Sequence, residues 1–497
     1  MEAIFSATMG ELASRSISLL VGRYLKQKAA PTMEERLSSL QRLLLRLRIV
    51  VEEADGRIIT NQAMLHQLSI LKKEMYRGYY TLDVFSCKAH GEDRAKDHGV
   101  NSSFAPSEFN PAKRVRFWSG DNEGAAQAEL LEQVLGSVRD TIEDVSEFVT
   151  LLCGCPRLQR QPYSVYLLLN KCMFGRQMEM EHIMNFLLQE EECAPGGAEG
   201  PAVLPIIGPP KVGKSTLIKH ACDDERVRNH FSQILCFNGH DLKDASAETL
   251  RDVGRIKHQN RGMDSGRTLI IIELFADIEE SVWKRLYSIA RSCIASGSKI
   301  IVVSRSNKIA SFGTTQPLRL QLFTQEAYWY FFKVRTFGST SAEDHPKLTA
   351  IAMDMARLLN GCLMAAAIFS GLLKANFNLR FWSLALATLR NIQQTNILMY
   401  GERFADAWES QEPVYVRRAT KTSSECFVIL ADHKTETEPE DPEMMSAQDL
   451  FFGSVRPRGN FKVRAWTSHL PPHYNYIFHC GIQRPQRSID SRLEADA

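Results

Sequence analysis

The chain has 497 residues, 44% of them hydrophobic and 24% charged, and 60 basic side chains against 58 acidic ones give a formal net charge of +2. Length and composition fit about three globular domains, and so small a net charge excludes a global attraction to nucleic acid or acidic membranes. No run approaches the roughly 18 to 20 apolar residues of a membrane span, and the start M-E-A-I-F-S-A-T-M-G-E-L lacks both the basic and the apolar region of a signal peptide, so a place inside the cell is expected. The 11 cysteines fit a reducing compartment, because most stand singly in apolar stretches, as Cys222, Cys236, Cys293 and Cys362 do. Cys153-Gly154-Cys155, with no second pair, is read as structural rather than as a zinc site.

Residues 1–155 read as helices. Ile4, Phe5, Met9, Leu12, Leu19 and Leu20 recur at helical spacing up to Tyr24. A second helix carries Leu37, Leu40, Leu44, Leu47 and Val51, and a third Met64, Leu68, Leu71, Met75 and Leu82. The fourth places Leu131, Leu135, Val138, Ile142, Val145, Val149 and Leu152 on one stripe. Each stripe must bury against a partner, and a four-helix bundle is the simplest arrangement that does so. Residues 88–122, rich in Gly, Ser, Pro and charge, are expected to form a mobile loop. Its basic tetrapeptide Lys113-Arg114-Val115-Arg116 reads as solvated, with no specific nucleic-acid interface expected.

Residues 156–200 read as a linker, with a new segment starting at Phe174-Gly175-Arg176. Then comes A-V-L-P-I-I-G-P-P-K-V-G-K-S-T-L-I-K-H, residues 202–220. A short apolar run ends at Gly208; Pro209, Pro210, Lys211 and Val212 form a tight loop, and Gly213, Lys214, Ser215 and Thr216 open an amphipathic helix. The spacing is that of a phosphate-binding P-loop. Backbone N–H groups turn inward around phosphate oxygens, and the helix N-terminus adds partial positive charge. Lys214 is expected to reach the β- and γ-phosphates, and the Ser215 hydroxyl to ligate Mg²⁺. Further short apolar strands follow at 232–237, 267–273 and 299–305, with an alternating edge candidate at 318–322. Helices lie between them, which predicts a parallel sheet covered on both faces. Ligands sit at the carboxyl ends of such strands, where Gly208, Glu273 and Arg305 all fall. Glu273 is expected to act on Mg²⁺ or the attacking water, and Arg305 to sense the γ-phosphate.

Helical patterns return over 325–337, 345–359 and 362–375. From Asn396 the pattern changes to short strands near Val414, Cys426 and Phe461, with an acidic, disordered-looking stretch at 434–445. No repeat of period 20 to 30 and no catalytic constellation is visible there, and His473 and His479 read as ordinary surface or packing residues. The expected organisation is multidomain α and α/β. It comprises the bundle (1–155), the linker (156–200), a P-loop NTPase sheet (201–322), a small helical subdomain (323–395) and an irregular C-terminal region with short strands (396–497).

Taken in order, these features resemble a plant intracellular immune receptor of the NB-ARC (nucleotide-binding leucine-rich-repeat) type with a coiled-coil N-terminus, particularly the forms found in grasses. The resemblance covers roughly residues 1–395. M-Y-R-G-Y-Y-T-L-D-V-F, residues 75–85, is similar to the acidic contact motif of the coiled-coil domain, reduced here to Asp83. Phe174-Gly175-Arg176 resembles the linker whose backbone brackets adenine, residues 297–305 the strand ending in the sensor arginine, and residues 320–337, with Trp329 and Phe332, the family segment that follows. Gly361-Cys362-Leu363-Met364-Ala365 is similar to the motif G-L-P-L-A, with Leu363 at the position of the proline that packs on adenine. The resemblance implies an ADP/ATP-binding switch in plant innate immunity, with Mg²⁺ as companion ion and protein partners or self-association through the bundle. It also implies a cytoplasmic location, with the nucleus and the face of the plasma membrane as further places. The family's Asp-Asp pair is Glu273-Leu274 here, so a slow ATPase is the most that is expected. Neither a Met-His-Asp motif nor leucine-rich repeats are visible. A non-hydrolysing helper, whose vestigial nucleotide site leaves the bundle to pair with full-length receptors, stands as the alternative.

Overall fold

The computed structural model describes residues 32–96, 122–157, 174–189, 200–238, 255–259, 266–274, 277–400, 413–417, 426–435, 444–452, 457–467 and 475–483. The helix expected at 4–24, the basic tetrapeptide at 113–116 and His473 lie outside them.

The N-terminal region is helical: α1 (Met33–Asp55), α2 (Gln62–Lys96), α3 (Asn122–Glu143) and α4 (Val145–Cys153). A capping box starts α1, because Thr32 and Glu35 each satisfy the other's backbone N–H. Leu40, Leu44, Leu47 and Val51 bury against Met64, Leu68, Leu71 and Met75 of α2 and Leu131, Leu135 and Val138 of α3. Two expectations change here. The helix of Met64 and Leu82 runs on through Lys96, past the loop start expected at Lys88. Residues 88–96 carry no apolar stripe, but Ala, Glu, Lys and Arg sustain a helix by intrinsic propensity. The fourth helix breaks at Asp144 into α3 and α4. Beyond the break Phe148 is fully buried in place of Val149, which is 37% exposed, while Leu152 is buried as expected. Arg57 Nη1 donates to the carbonyls of Leu152, Cys153 and Cys155, which ties the end of α4 to the α1–α2 turn.

The central sheet has the order β3-β2-β4-β5-β1-β6. Its strands are β1 (Ala202–Ile207), β2 (Gln233–Asn238), β3 (Arg255–Gln259), β4 (Thr268–Glu273), β5 (Lys299–Ser304) and the two-residue edge β6 (Leu318–Arg319). All pairings are parallel except β2 with β3, a strand that the sequence reading did not include. Because β1 and the four central residues of β4 and of β5 are apolar, alternate residues feed two cores. One face packs on α5 (Gln177–Leu188), α6 (Lys214–Asp223) and α7 (Glu225–His230). The other packs on α8 (Glu280–Cys293) and the 3₁₀ turn Asn307–Phe312.

Lys299, at the start of β5, is 4% exposed, and its ammonium donates to the carbonyls of Phe186 (2.5 Å) and Gln189 (2.6 Å) at the end of α5. A buried cation is tolerated there because the helix C-terminus presents carbonyls without intrahelical partners and partial negative charge. Lys299→Met is therefore expected to destabilise the central sheet by about 1–3 kcal/mol, since it leaves the buried Phe186 carbonyl unsatisfied while that of exposed Gln189 turns to water. The midpoint of urea unfolding measures the loss.

Helices α9 (Gln325–Phe337), α10 (Pro346–Leu359), α11 (Leu363–Ala375) and α12 (Leu379–Tyr400) form the helical subdomain. The α11 sequence L-M-A-A-A-I-F-S-G-L-L-K-A is apolar on every side, which marks a helix buried all round. Ala365, Ala366, Phe369 and Leu373 face the helical core. Met364, Ile368 and Leu372 face the C-terminal region. There the short strands join one sheet, of order β7-β8-β11-β10-β9. Its members are β7 (Val414–Arg417), β8 (Cys426–Thr435), β9 (Met445–Ser446), β10 (Asn460–Thr467) and β11 (Asn475–Gln483), with the short helix α13 (Ala447–Phe452). Strand β8 reaches Thr435, into the stretch expected to be disordered from 434. His479 lies half-buried on β11.

Candidate nucleotide site

Strand β1 ends at Ile207, level with Ser304 of β5, and Glu273 of β4 is level with Val303. At a strand spacing of about 4.8 Å, the backbones of Gly208 and Glu273 stand about 10 Å apart at one end of the sheet, with Arg305 in the loop just beyond β5. These three positions thus share the carboxyl edge, as the spacing predicted for parallel strands.

The loop between β1 and α6 is shaped by its backbone. Gly208 is buried where a Cβ would come within 2.6 Å of the Leu320 carbonyl oxygen, so no larger residue fits. Lys211 (φ 58°) and Gly213 (φ 97°) are both left-handed, which curls the loop into the turn that starts α6. Val212, 1% exposed, anchors the loop in the core beneath. Gly213 is the N-cap of α6 and carries no side chain to cap the helix, so no side-chain cap occupies this N-terminus. Pro209, Pro210, Ser215 and Thr216 are half-buried. Lys214 Nζ donates to the carbonyls of Gly208 and Pro209, both at 2.6 Å. The ammonium is held over its own loop, where a phosphate oxygen would exchange for those carbonyls. His220, farther along α6, is pushed below the usual histidine range by burial, so it adds no charge at neutral pH.

The donor set suits a magnesium nucleotide. Mg²⁺ takes few protein ligands and keeps waters and phosphate oxygens, and no cluster of three or more His, Cys, Asp or Glu suited to a metal exists among the described residues. The Ser215 hydroxyl and the half-buried Glu273 carboxylate are among the oxygens that the described residues offer at this edge.

Leu274 accounts for the departure at the acidic pair. Its N–H bonds to the Val303 carbonyl at 2.8 Å, and its side chain is 5% exposed in the core with Trp283 and Phe312. The nearby Asp277 does not replace the missing acid: its carboxylate is paired with Lys308 at 2.7 Å. Hydrogen bonds from Lys308 and Ser306, and the charges of Lys308 and Arg305, hold its pKa below the ordinary range. Arg305 itself is exposed.

The segment from Leu320 to Phe323 joins the remaining expected residues. Leu320 lies against Gly208, and the Gln321 carbonyl accepts from Arg176 Nη2 at 2.5 Å. The Arg176 guanidinium sits 4.4 Å over the Phe323 ring and also pairs with Glu179 at 2.8 Å. Phe323 packs edge-on against Phe174 at 5.4 Å. Leu322 is the nearest side chain to Gly361, two residues before Leu363, and Leu363 packs on the helical core. Residues 174–176, the P-loop and the 361–363 turn, distant in sequence, are thus gathered around one strand-to-helix connection. Sequence reasoning missed this role of Leu320–Phe323, and a backbone carbonyl such as that of Gln321 leaves no residue-type signal by which to find it.

Residues 176–342 match the family model described as the NB-ARC domain. The chain is similar to the disease resistance protein RGA2 of Solanum bulbocastanum, at 24% identity over 366 residues, 70% of this chain and 35% of that protein. It is also similar to the late blight resistance protein R1-A of Solanum demissum, at 24% identity over 250 residues, 47% of this chain and 18% of that protein. The chain therefore spans about a third or less of the length of these relatives. No helix among the described residues is long and apolar enough to cross a membrane.

Proposed function

Starting from an NB-ARC domain carried by a chain similar to plant disease resistance proteins, we propose that this protein is an ADP/ATP-binding switch in plant defence. One observation carries the reading: a glycine loop that opens a helix with no side-chain cap, with its lysine at the loop's own carbonyls, at the carboxyl edge of a parallel sheet. Backbone N–H groups and the α6 N-terminus bind phosphate, Lys214 neutralises it, and Ser215 with Glu273 supports Mg²⁺. Pro209, Pro210, Lys211, Val212 and Thr216 shape the cradle. Phe174-Gly175-Arg176 and Leu363 flank the adenine side. The γ-phosphate is the group that differs between the two nucleotide states, so Lys214 and Arg305 carry the discrimination.

Burial of Leu274 leaves no second acid to orient water, and this favours retention of nucleotide over turnover. The bundle is the part released to partners or to another copy when the state changes, and the protein acts in the cytoplasm. The same Leu274 suits the second reading, a non-hydrolysing helper whose bundle pairs with full-length receptors.

The test is nucleotide content. The full chain, purified from a plant-type host and denatured, is expected to release ADP in near-stoichiometric amount on chromatography. Absence of nucleotide together with no titratable ADP binding would overturn the switch and leave the bundle as the working part.

A further inference from the structure

The bundle's core does not stop at the bundle. Phe174 and Met178 pack into the same cluster as Leu40, Leu44 and Leu71, together with Phe323, Ala327 and Tyr330 from beyond the sheet. Two contacts hold the stretch between them. The Tyr76 ring of α2 lies 5.4 Å from Phe174 and 4.8 Å from Tyr330, and Tyr330 in turn stacks on Phe174 at 6.3 Å. On the other side of Gly175 and Arg176, Gln177 Nε2 donates to the Asp55 carboxylate at 3.1 Å. Asp55 sits at the end of α1, and Lys72 of α2 pairs with the same oxygen at 2.6 Å, with both side chains at least 88% buried (12% and 7% exposed). Burial, then the charge of Asp55, push the Tyr76 phenol well above its ordinary range, so Tyr76 is a neutral packing ring at any physiological pH.

We propose that Tyr76 and Asp55 are positioning residues for the nucleotide site: the N-terminal bundle grips residues 174–177 at both ends and so sets the backbone of Gly175 and Arg176 on the adenine side. This rests on the reading of the cleft as a nucleotide site. The physical case is geometric. Arg176 already fixes one face of the linker to Gln321 and Phe323, on the connection that touches Gly208. The bundle contacts fix the residues on either side. An aromatic cluster and a buried carboxylate have few alternative arrangements, so a linker held by them transmits displacement in either direction. By linkage, a bundle that tightens nucleotide binding is itself held by the nucleotide to the same extent.

The experiment uses the full chain loaded with a fluorescent ADP analogue and chased with unlabelled ADP. Tyr76→Leu removes the ring and is expected to speed release at least about fivefold, the low end of ordinary coupling. Tyr76→Phe keeps the ring and is expected to stay within about twofold of wild type on the same scale. Val138→Ala, which opens the bundle core at α3 without a linker contact, separates positioning from general loosening and is also expected to stay within about twofold. In the reciprocal measurement, ADP is expected to slow hydrogen exchange in α2 of wild type more than in Tyr76→Leu.

Equal release rates for wild type and Tyr76→Leu would overturn the proposal while leaving the nucleotide reading intact, as would equal acceleration by Val138→Ala. A wild-type chain that takes up no ADP would overturn both.

Discussion

Lys214→Ala is expected to yield a folded chain that has lost its nucleotide. The ammonium donates to the carbonyls of Gly208 and Pro209, at 2.6 Å each. Its removal strips a donor from the carbonyls of buried Gly208 and half-buried Pro209, so the empty protein is expected to stay folded with a loss of about 1–3 kcal/mol of stability. A phosphate, by contrast, loses a charge-assisted hydrogen bond worth about 1.5–3 kcal/mol, or about 10- to 150-fold in affinity. Lys214→Arg is expected to recover little of it, since a planar fork does not replace a compact point charge in so tight a loop. Equilibrium titration with labelled ADP reads the effect. Retention of wild-type affinity by Lys214→Ala would mean that the loop does not bind phosphate.

The second large effect is expected at Asp83. Its carboxylate is 6% exposed and accepts from Trp329 Nε1 at 2.8 Å and from Lys333 Nζ at 2.8 and 2.9 Å. Trp329 is 1% exposed, and the Lys333 ammonium lies 5.8 Å over the Tyr79 ring. This one acid joins α2 of the bundle to α9 of the helical subdomain. Asp83→Ala leaves a buried indole N–H and a largely buried ammonium without their acceptor, and removal of one partner of such a pair costs about 3–5 kcal/mol. Much of that falls on the bundle's docking rather than on its internal core, whose leucines are untouched. Hydrogen exchange of the buried α2 amides is therefore expected to rise at least about a hundredfold, with the central sheet little changed. Unchanged α2 protection would show that the bundle holds to α9 by its aromatic packing alone. Asp83→Asn, which keeps an acceptor for Trp329 but sets an amide against Lys333, is expected to fall between the two.

Asp83 also shows how far local reading goes. Its place in an acidic contact motif rested on resemblance, with nothing in the sequence to say what it contacts. Its partners stand 246 and 250 residues away. Leu274 shows the same limit: as a departure from an acidic pair it was visible in the sequence, but its burial under Trp283 appears only once β4 and α8 pack. Phe148 took the place of Val149 between Val145 and Leu152, and a period of 3.6, which admits a step of either three or four residues there, had no means to choose between them.

By itself, then, the sequence determined what short-range spacing can encode. The P-loop from Gly208 to Thr216, the apolar strands that end at Glu273 and Ser304, and the helices from Gln325 to Ala375 are set by periods of two and 3.6 and by glycines with fixed offsets. Tertiary structure alone decided which of these elements meet. It placed β3 antiparallel at the edge, joined the C-terminal strands into a sheet against α11, and gathered Arg176, Gln321, Phe323 and Gly361 beside the loop. It also put Tyr76 and Asp55 on either side of the linker. The physical reason is that a contact between distant segments depends on side-chain shape, burial and one or two hydrogen bonds, none of which leaves a periodic trace along either segment.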